Sequence, residues 1–178
     1  MRITEISSRE QIEEDQRSAW DEIVASRGQV AGPFKVMLHS PEMARRVAHL
    51  GTYIRFESKL DARVRELVTL ATARVLECEY EASAHEPQLR KAGASEQVLS
   101  ALKERRMQDL PPEDRWIGTF VEQALTRHRV DAEILAIAEQ QLGVSGLVEL
   151  AGTIGYYSLL AVTLNTFEVQ PPVSSSTA

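Results

Sequence analysis

The sequence predicts an all-α fold, and three observations carry that prediction. Apolar residues recur at spacings of three and four through the centre of the chain (Leu67, Leu70, Ala71) and again from Leu147 to Leu164. No segment alternates apolar and polar side chains for long enough to be a strand. Residues that start and stop helices punctuate the chain, at Ser40-Pro41, Asp61, Gly93, Ser95, Pro111-Pro112 and Asp131. About seven or eight helices follow from this pattern.

In chain order, Ser7 and Ser8 precede Glu10, Gln11, Glu13 and Glu14, a capped and acid-rich helix start. This helix is expected to run to about Ala25, with Trp20, Ile23 and Val24 on its apolar side. Two glycines and a proline make a loop of Arg27–Pro33, and Phe34–His39 is a short apolar turn. Ser40-Pro41 restarts a helix with a cap and a proline at its first position. Met43, Val47, Leu50, Tyr53 and Ile54 are expected on one face of it. Asp61 caps the central helix, which breaks or bends near Leu76–Cys78 and then runs to Lys91. Gly93 stops it, and Ser95 begins a shorter helix to about Arg105. Pro111-Pro112 marks a loop and an expected seam between halves. Helices then cover Pro112–His128, Ala132–Leu142 and, past a Gly143–Gly146 turn, Leu147–Phe167.

At 178 residues the chain fits one domain, expected over residues 1–170 with a flexible polar tail at 171–178. Hydrophobic residues at 43% allow a sizeable core. The net charge of −6, with no basic cluster interleaved with aromatics, argues against a nucleic-acid partner. One cysteine allows no intrachain disulfide, CxxC redox centre or cysteine-rich zinc site. The four histidines have no zinc-ligand spacing and no glycine-rich nucleotide loop occurs, so neither metal nor cofactor is expected. The charged N-terminus lacks an apolar signal region. The Leu147–Leu164 run is broken by Glu149, Gly152 and Gly155, and it reads as a buried helix rather than a membrane span. Cytoplasmic residence without a membrane partner is the expectation.

Chemistry concentrates in Glu66–His85. Glu81 and His85 are four apart and share a helical face, and Cys78 lies three before Glu81. Glu66 must be brought back to them by a turn or a packed neighbour. A carboxylate beside an imidazole is a common proton-transfer pair. The same spacing also describes a solvated Glu/His pair beside a core cysteine. One further pattern is an echo at an offset of 80, where Leu67-Val-Thr-Leu-Ala71 reappears as Leu147-Val-Glu-Leu-Ala151. The offset sets Ser158, Ala161 and Asn165 under Cys78, Glu81 and His85.

The pattern Glu66-x11-Cys78-x2-Glu81-x3-His85 resembles the carboxymuconolactone decarboxylase and alkylhydroperoxidase D-like superfamily. Glu66, Cys78 and His85 fall on three of the four positions of the peroxidase-branch signature, and Glu81 stands at the position of its second cysteine. Gly32-Pro-Phe with Leu38-His-Ser-Pro-Glu42, Arg65–Arg74, Glu79–Glu86 and Gly155–Glu168 are similar to further segments of the longer decarboxylase-like members. The resemblance covers about Gly32 to Val169. It implies a helical bundle of the alkylhydroperoxidase D-like type with an internally repeated helical hairpin. It also implies homo-oligomers, as trimers or hexamers, with dimers among the long members.

Two mechanisms are compatible with these residues. A thiol peroxidase needs a thiolate and a resolving thiol. Glu81 cannot resolve a sulfenic acid, and its charge disfavours the thiolate of Cys78. A single-cysteine antioxidant peroxidase would therefore need an external thiol. The other mechanism is acid–base chemistry of a lyase or related enzyme on a small lactone or carboxylate substrate. In it His85 is the acid/base, Glu81 its orienting or second proton-transfer group, Glu66 a buried partner and Cys78 a small pocket or core residue. Arg74 is a candidate substrate anchor or a salt-bridge partner of Glu66 or Glu77, and His39 a candidate pocket residue or a satisfied surface histidine. A non-catalytic binding or scaffold bundle is the third reading. The enzymatic reading expects Glu66, Glu81 and His85 to converge beside an apolar cavity, and the scaffold reading expects them apart.

Overall fold

A computed structural model describes residues 1–171; past Pro171 the expected polar tail lies outside the described residues. Every regular element among the described residues is helical. The elements are α1 (Ser18–Arg27), α2 (Pro33–Met37), α3 (Pro41–Thr52), α4 (Ala62–Val75), α5 (Glu79–Lys91), α6 (Glu96–Lys103), α7 (Pro112–Thr126) and α8 (Ala132–Phe167). The chain forms two compact units, one of Met1–Ser58 with the stretch from Val162, the other of Lys59–Ala161. The expected seam at Pro111-Pro112 is therefore misplaced. Pro112 opens α7, and two residues on Asp114 grips Arg63 of α4, so this proline pair sits inside one unit.

In the first unit, the expected helix from Ser8 to Ala25 does not form as one piece. Ser8 and Gln11 do make a capping box, with the Ser8 amide donating to Gln11 Oε1 at 2.8 Å. It closes only a short turn, Arg9–Gln11, because Ile12 turns extended and buries its side chain. A second turn at Glu14–Gln16 leads to α1. On α3 the buried face is Ala44, Val47, Ala48 and Gly51. Of the five residues expected on its apolar face, only Val47 and Ile54 are buried; Met43, Leu50 and Tyr53 are exposed. Small residues on the inner face let α3 sit close to its neighbours, and that closeness pushes the larger side chains outward.

The second unit is built on α4, which is buried along Leu67–Ala73 and packs against α5 and α7. Its start is fixed by Asp61, whose carboxylate accepts from the Arg63 amide at 2.8 Å. Arg63 in turn donates to both oxygens of the buried Asp114, at 2.6 and 2.7 Å. This bidentate pair ties the start of α4 to the start of α7. At Gly118 on α7, an added Cβ would stand 2.5 Å from Leu110 Cδ1 and 3.2 Å from Met107. Gly118→Ala is therefore expected to destabilise the protein by about 1–3 kcal/mol through overpacking, read as a lowered urea midpoint at unchanged slope.

α4 ends at Val75, and Glu77 takes a left-handed conformation (φ 54°) that turns the chain back into α5. α8 is two helices meeting at Gly143, whose φ of 67° and ψ of 172° are not helical, as the expected turn there requires; the second runs unbroken to Phe167. The 80-residue echo thus carries a broken hairpin onto a continuous helix, since the counterpart of the Leu76–Cys78 break lies inside α8. α8 is long and apolar enough to cross a membrane by length and composition alone, and only 44% of its most apolar stretch is buried.

Candidate active site

Folding α5 back along α4 brings Glu66 to His85, nineteen residues away in sequence, through the turn at Leu76–Cys78. His85 Nδ1 lies 2.7 Å from Glu66 Oε2. On the other edge of the ring, Nε2 lies 3.4 Å from Glu81 Oε2, one turn earlier on α5. The ring of Tyr157, on α8, meets the His85 ring edge-on with centroids 5.0 Å apart, and Tyr156 packs edge-on against Tyr157 at 5.2 Å. His85, Glu81 and both tyrosines are buried.

The geometry selects a protonation state. A neutral imidazole carries one N–H, so one of its two nitrogens would present a lone pair to a carboxylate. An imidazolium donates from both. Burial works against the charged ring, and the hydrogen bonds to Glu66 and Glu81 outweigh it, raising His85 from its ordinary 6.5 to about 9. At neutral pH the group is therefore a stored proton held between two acceptors.

Cys78 is the N-cap residue of α5 and is buried. Burial first, and then the charges of Glu81 and Glu79, push its thiol up to about 11, while the Glu81 and Tyr80 amides pull the other way. The thiol thus borders the cluster without being primed as a nucleophile.

Two cavities flank the cluster. One, of about 300 Å³, is lined by Ala62, Arg65, Glu66, Gln88, Lys91 and Ala92. The other, of about 290 Å³, lies at Cys78 and includes Arg74, Glu77, Glu79, Lys103 and Arg105. Charged side chains line both, and Ala62 and Ala92 add apolar surface to the first. Glu66 lines the first, and is the one member of the Glu66, Glu81 and His85 cluster that borders either cavity. Arg74 makes a salt bridge, but to Glu79 and Glu86 at 3.1 and 3.0 Å rather than to Glu66 or Glu77. His39 is held through Nε2 by the Thr4 carbonyl at 2.7 Å. Sequence reasoning missed Arg65 as a cavity residue and Tyr157 as the neighbour of His85. Arg65 had a usable signal, its position next to Glu66. Tyr157, seventy-two residues from His85, lies in the Gly155–Glu168 segment that carries the resemblance, which marks the residue without naming its neighbour. Among the described residues no group of three or more His, Cys, Asp or Glu side chains is arranged to hold a metal ion.

Residues 41–106 match the carboxymuconolactone decarboxylase family. That segment contains Glu66, Cys78, Glu81 and His85. Among solved structures, the chain is similar to an uncharacterized peroxidase-related protein with an alkylhydroperoxidase AhpD core from Ralstonia eutropha JMP134. The TM-score is 0.76 at 20% identity, over 96% of this chain and 92% of that one. It is also similar to a protein of unknown function from Agrobacterium tumefaciens, described as a candidate AhpD antioxidant defence protein. There the TM-score is 0.66 at 20% identity, over 80% of this chain and 99% of the other. Both likenesses concern the fold. No curated protein matches the sequence.

Proposed function

We propose that this chain belongs to the carboxymuconolactone decarboxylase and alkylhydroperoxidase D-like superfamily, whose decarboxylase model its residues 41–106 match, and is an acid–base enzyme of the lyase type acting on a small lactone or carboxylate substrate. The observation that carries the reading is the imidazole of His85 held between Glu66 and Glu81, with Glu66 opening on a cavity. Glu66 exchanges a proton with the substrate, and His85 resupplies it through Nδ1. Glu81 balances the charge of the ring from the far side. In a decarboxylation of this type, the bond to the departing carboxylate breaks and carbon dioxide leaves. The electron pair is held in conjugation with a lactone carbonyl, and the carbon then takes the proton passed through Glu66. Positioned proton transfer of this kind is worth about 10²–10⁴-fold.

The names of the two structural neighbours point to peroxide chemistry, which is the second reading. Against it stands the Cys78 thiol, at about 11. At pH 7 it is ionised to roughly one part in ten thousand, far below what an attacking thiolate needs. The discriminating experiment is a panel of lactone acids and organic hydroperoxides offered to the wild type, His85→Gln and Cys78→Ser. Lactone-acid turnover that is lost in His85→Gln and kept in Cys78→Ser supports the lyase reading. Peroxide consumption abolished by Cys78→Ser overturns it.

A homo-oligomer belongs to the same proposal. One face of α8 exposes Val144, Val148, Ala151, Gly152, Gly155 and Leu159 at helical spacing. The stripe carries no charge, so the same stripe of a second copy meets it without repulsion, as a two-fold contact requires. Val148→Asp is expected to shift the protein to a smaller species in size-exclusion chromatography with light scattering. An unchanged mass for both proteins would remove this face from the assembly.

A further inference from the structure

Each cavity beside the triad keeps one lysine outside any ion pair among the described residues, Lys103 at Cys78 and Lys91 at Glu66, and what separates the two is that Glu66 of the triad lines the second. At the Cys78 cavity two of the three cations are already engaged: Arg74 by Glu79 and Glu86, and Arg105 by Glu77. At the Glu66 cavity Lys91 forms no ion pair among the described residues. Arg65 stands 4.0 Å from Glu66 Oε1, too far for a hydrogen bond, and its buried Nε has no acceptor. Its Nη1 donates to the Leu60 carbonyl at 3.3 Å, which fixes the guanidinium at the cavity wall. Glu66 meanwhile is committed to His85 at 2.7 Å. Arg65 and Lys91 are two cations against the single acidic side chain that lines this cavity, Glu66. Lys91 is then a surplus positive charge at the mouth, and the side-chain amide of Gln88 adds a neutral donor.

We infer that the cavity formed by Arg65, Glu66, Gln88 and Lys91 is a carboxylate-reading subsite. A carboxylate of the substrate pairs with Lys91 and the Arg65 guanidinium, and the adjoining carbon is laid against Glu66. The inference deepens the acid–base reading and rests on it for the role of Glu66. It names the charged group that the substrate must carry and the side from which it approaches. Its volume, about 300 Å³, sits at the small end of ligand sites and suits a compact acid.

The probe is succinate, with its uncharged diamide as control, titrated calorimetrically into the wild type, Lys91→Gln, Lys91→Arg, Lys103→Gln and His85→Gln. Succinate is expected to bind saturably and the diamide not to bind. Loss of one charge-assisted contact in Lys91→Gln should raise Kd roughly 10–100-fold. Lys91→Arg should restore binding. Lys103→Gln, at the other cavity, should bind as the wild type does. Absence of saturable succinate binding, equal binding by Lys91→Gln, or a loss in Lys103→Gln overturns the subsite. His85→Gln should bind succinate as the wild type does while losing turnover, which keeps the two proposals apart. Lys91-dependent binding of succinate with no turnover of any lactone acid by the wild type leaves the subsite standing and removes the lyase reading.

Discussion

His85→Gln is expected to lower kcat/KM by about 10²–10⁴ while the helical content stays unchanged. The amide cannot hold a proton for transfer, yet it fills similar space between α4 and α5 and can bond to Glu66. Glu66→Gln is expected to fall in the same range, because Glu66 is the triad member at the cavity. Glu81→Gln should fall less, since its contact with the ring is 3.4 Å against 2.7 Å for Glu66. The pH profile of kcat/KM separates a proton-storing His85 from a merely structural one. If the stored proton is consumed in the reaction, activity declines as pH rises through about 9, where the ring loses it. A wild-type profile flat from pH 7 to 10, or a His85→Gln variant within threefold of wild type, would refute the assignment.

The order of effects was only partly legible in the sequence. The i,i+4 spacing of Glu81 and His85 is a local fact of one helix, and so it could be read directly. The Glu66 contact depends on where the chain turns, and the turn depends on Glu77 adopting a left-handed conformation that no glycine announces. The sequence pattern allowed a break near Leu76–Cys78 but did not rank Glu66 above Glu81. Helix existence was equally readable wherever caps were strong, as at Asp61, whose carboxylate bonds the Arg63 amide. It failed at Ser8, where the capping box is real but the following Ile12 is drawn into the core. A tertiary contact there overrides a local signal, and periodicity carries no information about it. Face assignment on α3 failed for a similar reason. Ala44, Ala48 and Gly51 permit close packing, so the smaller residues rather than the more hydrophobic ones face inward. The charged groups of the first cavity come from Arg65 and Glu66 meeting Lys91 where α4 packs on α5, a juxtaposition set by packing.

The stability of the fold should carry the signature of the same triad. The folded value of about 9 for His85 lies above its ordinary 6.5. The folded state therefore binds the proton more tightly than the unfolded chain does. Its stabilisation is complete below pH 6.5 and is lost as pH rises through about 9. The gap corresponds to on the order of 3 kcal/mol, at about 1.4 kcal/mol per pH unit. Urea midpoints measured from pH 6 to pH 10 should fall with a slope that is steepest between 6.5 and 9, and His85→Gln should flatten that span. Cys78 adds a second decline in the same direction at higher pH, because its folded value of about 11 exceeds its ordinary 9; Cys78→Ala removes it and leaves the lower span intact. The two variants thus divide the alkaline limb at about pH 9. A wild-type midpoint that is constant from pH 6 to 9 would mean that the ring is neutral in the folded protein, and the stored proton on which the acid–base mechanism draws would not exist.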